Sequence, residues 1–346
     1  MKLIRIYNKS FSRMLTLTEP DFNALTFRRT KGEIGDASFT VKLGNRKMNA
    51  TNLNHYNRIA IIEDGVVKFL GIMTQKIVRL DTADIKVREL PYILKKRLVS
   101  PEYSLSGTIN EAVTQLMEDI NGEEDTGIFV GSLTGEGEVN LTFNSADAWT
   151  VLKQICEATG NQFEVRGNRQ LVVAPYIGED KSDEVLFRYN VDQVANANLL
   201  NFEIEDDGEN IVTRAFGKSD SLTSDQESTE LVTEFGVLEK FKDFRVVNTQ
   251  EVLDEFTSSE VSTRVYSPRL VLKPNIADNF EIGDRVRVRL KNPLVNINDS
   301  FQVLEKRVKY SGSQKLIEVR INDLPNYLVQ KLADRDKRLE LLEKQV

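Results

Sequence analysis

The chain has one histidine, one cysteine and one tryptophan among 346 residues, and these absences exclude more than any motif in it asserts. A lone histidine, His55, removes every metal motif built on two histidines and leaves any nucleophile–histidine pair dependent on that residue. Its surroundings, Asn52-Leu53-Asn54-His55-Tyr56-Asn57, read as a polar turn leading into a strand. Cys156 has no intramolecular disulfide partner. It lies on the apolar stripe of an expected helix with no histidine after it, so it reads as a buried structural thiol. No run approaches the roughly 20 consecutive apolar residues of a membrane-spanning helix. The start, MKLIRIYNKS, lacks the apolar core of a secretory signal, and folding in the cytosol is expected.

Catalytic and ligand-binding signatures are missing as well. Gly131–Gly137, GSLTGEG, has no lysine-threonine pair after it and is no phosphate loop. Asp206-Asp207-Gly208-Glu209-Asn210 lacks the alternating spacing of a calcium loop and fits a hairpin turn. Acidic clusters such as Glu123-Glu124-Asp125, or Glu251 with Asp254 and Glu255, are too common in the chain to single out a pair. No catalytic, cofactor or metal residue is named, and a non-enzymatic protein is expected. The formal charge of −7 argues against a surface built mainly to grip phosphate. The short basic clusters Arg28-Arg29 and Lys95-Lys96-Arg97 read as solvated strand or loop ends.

What is present is β pattern, interrupted once. Strand-like runs fill residues 1–95 and 185–323, among them Arg58–Glu63, Val66–Met73, Arg285–Leu290 and Leu316–Ile321. Asp64-Gly65 predicts a tight hairpin between the first two, and Gly71 a bulge or close approach. A meander is expected from Gly283-Asp284 through Ser311-Gly312-Ser313 to Ile321. Between these regions lie two helical patterns, Ile109–Ile120 and Ala146–Thr159. Ser145 is the expected N-cap of the second, Trp149, Leu152, Ile155 and Cys156 form its apolar stripe, and Gly160 stops it. Phe163 and Val165 then alternate with polar residues, and Gly167-Asn168 is the expected positive-φ turn of a hairpin returning through Leu171–Val173. The fold class expected is mainly β with an α+β insertion. Its segments are a barrel-like domain over 1–100, the insertion over 101–184, a second barrel-like domain over 185–323 and a C-terminal helix over 324–346.

The segments NRIAIIEDGVVKFLGIMTQ, SADAWTVLKQICEATGNQFEVRGNRQLVV, NIVTRAFG and FEIGDRVRVRL followed by FQVLEKRVKYSGSQKLIEV occur in an order that resembles the baseplate hub proteins of phage tails. That family includes the N-terminal region of tail-associated lysins and other tail-tip hubs. The resemblance implies a homotrimer whose paired β domains form a ring between a tail tube or distal tail protein above and a tip, spike or fibre protein below. It also implies a lumen that passes tape measure protein and DNA during genome ejection into the host, and a place in the virion after synthesis in the host cytoplasm. No cofactor is implied. Arg285, Arg287 and Arg289, on one face of a strand, are candidate lumen-facing residues; an ordinary solvated sheet face uses the same residues. Leu328, Leu332, Leu339 and Leu342 recur at heptad core positions and are candidate trimer contacts, with packing on the subunit's own barrel as the alternative. Two other functions compete with a structural hub. One is a peptidoglycan hydrolase, as in the family's lytic members; the other is a carbohydrate- or receptor-binding module using scattered aromatics such as Trp149, Tyr176 and Tyr189, against which Trp149 counts by lying on the apolar stripe of a helix.

Overall fold

Alternating burial organises the first ninety residues. In the computed structural model, which describes residues 1–321 apart from 45–47, 208–210, 245, 246, 248, 262–264, 275, 277 and 313, seven strands occupy that region. They are β1 (Lys2–Tyr7), β2 (Arg13–Thr18), β3 (Phe22–Thr30), β4 (Asp36–Lys42), β5 (Arg58–Glu63), β6 (Val66–Val78) and β7 (Thr82–Glu89). Ile4, Ile6, Leu17, Phe39, Val41 and Ile85 point to the core while their neighbours along each strand face outward. The β5–β6 turn is the expected one: Asp64 and Gly65 have φ of 49° and 83°. Gly71 marks a close approach rather than a bulge. A Cβ there would lie 2.3 Å from the Arg88 carbonyl oxygen and 2.7 Å from Val87 Cγ1 on β7, whereas the register slips fall at Ile61/Ile62 and Met73/Gln75.

The insertion follows as β8 (Tyr103–Thr108), α1 (Ile109–Glu123), β9 (Phe129–Leu133), β10 (Glu138–Phe143), α2 (Ala148–Ala158), β11 (Gln162–Val165) and β12 (Gln170–Ala174). Thr108 and Glu111 cap α1 reciprocally. The α2 cap is Asp147, whose carboxylate accepts from the Thr150 amide at 3.0 Å. Ser145, the expected cap, sits two residues too early at φ 56°. The β11–β12 turn likewise differs from expectation: Arg169 takes the positive φ, 74°, and the loop needs four residues. Trp149 packs edge-on against Phe163 with ring centroids 5.0 Å apart, joining helix to hairpin in a core that also holds Cys156.

Beyond the insertion come β13 (Leu186–Asn190), β14 (Leu199–Asp207), β15 (Arg214–Lys218), β16 (Thr223–Glu227), α3 (Thr229–Phe235), β17 (Glu239–Asp243), α4 (Gln250–Glu260), β18 (Val265–Leu272), β19 (Arg285–Lys291), β20 (Asn296–Ser311) and β21 (Gln314–Ile321). Contacts divide the chain into two units. Residues 1–200 with 271–319 form the first, and residues 201–270 with 320–321 belong to the second. This grouping differs from the segments read off the sequence, and the reason is β20. Its sixteen residues are long enough to pair with β19 through Asn296–Gln302 and then with β3 through Glu305–Lys309. The C-terminal meander therefore extends the N-terminal sheet instead of forming a barrel of its own.

Within the first unit the strand order is β21-β20-β3-β4-β7-β6-β5-β1-β2, with β19 and β13 attached to β20. That order is an open path; among the described residues no ladder joins its ends, so the fold is mainly β as expected, built of several sheets, with no closed barrel where barrel-like domains were expected. In the second unit, β15 lies between antiparallel β16 and parallel β17. Helix α4 covers the sheet with buried Leu253 and Thr257. The helix expected over 324–346, with Leu328, Leu332, Leu339 and Leu342, lies outside the described residues.

Candidate functional site

Strand β19 has the sequence RVRVRLK, and its period of two separates two chemistries. Val286, Val288 and Leu290 are completely buried, while Arg285, Arg289 and Lys291 are exposed and Arg287 is half-buried on the opposite face. The parallel neighbour β13 sets Arg188 opposite Arg289, and the antiparallel neighbour β20 sets Asn298 there. Arg289 Nε donates to Asn298 Oδ1 at 3.3 Å. The structure thus brings the three sequence-named arginines together on one outward face and adds Arg188, which sequence reasoning missed because a parallel register leaves no local signal.

Two buried ionic groups fix the sheet around this face. In the first, Asp278 is shared by Lys306 and by Lys315, whose Nζ lies 2.5 Å from it; Lys315 also reaches Glu63 at 2.5 Å. Lys306 further donates to the Phe280 carbonyl at 2.5 Å. Burial alone raises the pKa of Asp278, but the Lys306 charge and hydrogen bond, with those of Lys315, outweigh it and hold the carboxyl below its ordinary value. In the second, Arg29 on β3 donates to Glu89 at 2.9 Å and to Glu164 of the insertion at 2.8 Å. Burial opposes its charge, and the two carboxylates reverse that and raise its pKa. A cleft of about 40 Å³ beside it is lined by Lys31, Trp149, Phe163 and Ile282. Burial lowers the Lys31 amine to about 8. Such a cleft holds a water or two, far below the ~300 Å³ of a small-molecule site.

The remaining candidates carry no chemistry of their own. His55 is exposed in its turn, its backbone amide donating to Asn54 Oδ1 at 2.9 Å. Cys156 is 2 % exposed, and burial pushes its thiol up to about 12. Among the described residues no group of three or more His, Cys, Asp and Glu side chains converges on a metal position. No helix among them is long and apolar enough to cross a membrane. Large apolar side chains stand in solvent at turn tips, Leu80 at 100 % and Leu294 at 94 % exposure, and Phe241 on β17 at 65 %.

No protein-family model matches the chain, and no curated protein does. Solved structures match it nearly end to end. The tail protein from Neisseria meningitidis MC58 superposes with a TM-score of 0.66 at 13 % identity, over 93 % of this chain and 96 % of that one. Prophage tail protein gp18 from Listeria monocytogenes EGD-e gives 0.60 at 17 % identity over 98 % and 100 %. The fold is that of phage tail proteins. A 43 kDa tail protein of prophage MuSo2 from Shewanella oneidensis agrees, at 0.65 and 10 % identity over 93 % and 97 %.

Proposed function

We propose that the chain is a structural, non-enzymatic component of a phage tail, acting as the baseplate or tail-tip hub. The observation that carries this reading is a tail-protein fold shared over at least 93 % of both partners in each comparison. Its finer form is a homotrimeric ring that joins the tail tube or distal tail protein to a tip, spike or fibre protein. The ring encloses the passage for tape measure protein and DNA, with Arg285, Arg287 and Arg289 toward the lumen. Leu328, Leu332, Leu339 and Leu342 are the proposed contacts at the three-fold axis, and residues 101–184 decorate the ring.

Light scattering on the eluting chain tests the reading. A mass of three chains supports the hub, and loss of that mass in a chain ending at Pro325 assigns the contact to the leucines beyond it. A monomer at every concentration removes the trimer from the account.

A further inference from the structure

The outward face of β13, β19 and β20 gathers basic and neutral polar side chains. Register places Leu186, Arg188 and Asn190 beside Arg287, Arg289 and Lys291, with Arg285 continuing the row. On the other side it sets Asn296, Asn298, Ser300 and Gln302. No carboxylate occupies any of these positions, although the chain carries 53 acidic residues and a net charge of −7. Two acids border the face. Asp192 pairs with Lys291 at 3.3 Å, and Asp180 forms a backbone bridge to Arg285. Among the described residues Arg188, Arg285, Arg287 and Arg289 make no ion pair.

We propose that this face binds the phosphate backbone of DNA, without regard to base sequence, through Arg188, Arg285, Arg287 and Arg289. Side chains two apart on a strand recur every ~6.7 Å, and a neighbouring strand lies ~4.8 Å away. The result is a row of three guanidinium groups on β19 with a fourth, Arg188, beside Arg289. Guanidinium forks match phosphate oxygens in pairs, and the side-chain amides of Asn296 and Asn298 on β20 add neutral donors along the same track. The face lacks the desolvated apolar centre that protein–protein contacts are built on, Leu186 being its one apolar group and half-buried. A polyanion with regularly repeated charges is the complementary occupant. The choice of DNA rests on the tail reading above; the charge pattern does not.

The test is fluorescence anisotropy of a labelled 20-base-pair duplex with the full chain, titrated between 50 and 200 mM salt. Four phosphate contacts predict a slope of log K against log salt near −3.6, a loss of about 150-fold across that range. R285Q/R287Q/R289Q, all outward-facing, lowers the slope to about −1, and R188Q alone lowers it by about one. A slope unchanged by these substitutions overturns the proposal, as does absence of binding at 50 mM salt. Equal competition by a polyglutamate peptide also overturns it and assigns the face to an acidic protein. Failure here with a trimeric mass intact leaves the tail reading standing, and success with a monomer upholds the face while removing the trimer.

Discussion

Replacing Asp278 with Asn tests the ionic group that ties the C-terminal meander to the β5–β6 hairpin. Asp278 is the carboxylate common to Lys306 and Lys315, and the Lys306 side chain is 4 % exposed. The substitution removes one negative charge and leaves a buried ammonium with the Phe280 carbonyl and the more exposed Glu281, 3.4 Å away. Breaking a buried pair from one side costs about 3–5 kcal/mol. That is a large part of a total stability of about 5–15 kcal/mol. At about 2–4 °C per kcal/mol for 150–250 residues, the melting temperature falls by about 6–20 °C. Thermal unfolding followed by circular dichroism measures it. Because the native Asp278 pKa is lowered, its contribution is complete above the ordinary aspartate value of about 4 and is lost as pH falls through the native value. Removing both partners, as in D278L/K306M, restores part of the loss. A cost for D278N below about 1 kcal/mol, or a double variant less stable than the single, refutes the reasoning.

Three further perturbations follow from the geometry. Glu164→Gln leaves Arg29 with Glu89 only and weakens the tie to the insertion by about 1–3 kcal/mol; hydrogen exchange accelerates in Gln162–Val165 while β3 amides keep their rates. Gly71→Ala forces a methyl group against the Arg88 carbonyl and costs about 1–3 kcal/mol or more, read as a lower urea midpoint at unchanged m-value. Cys156 resists a thiol reagent at pH 8 in the native chain, since its thiol is buried and pushed up to about 12; labelling without denaturant contradicts its placement.

What the sequence discloses is what short-range chemistry determines. Helices α1 and α2 carry their apolar stripes in consecutive turns, and Asp64-Gly65 demands its turn, so these are readable residue by residue. The α2 cap is misread because Ser145 and Asp147 are both capping residue types, and only the chain's approach to the helix separates them. Pairing of Lys306 with Arg29 spans most of the chain. Nothing local encodes it, so an open sheet reads as two barrel-like regions. The arginine face shows the same division: alternation in RVRVRLK reveals three of its members, while Arg188 enters through the β13–β19 register. Ionic groups such as Lys306–Asp278–Lys315–Glu63 are assembled by tertiary structure from residue types abundant everywhere in the chain.

The central claim, a ring around an open passage, is met most directly by electron-microscopy class averages of the purified full chain. The account predicts ring-shaped particles with three-fold symmetry and a central opening. Single compact particles without an opening, at a concentration where light scattering finds no larger species, contradict it.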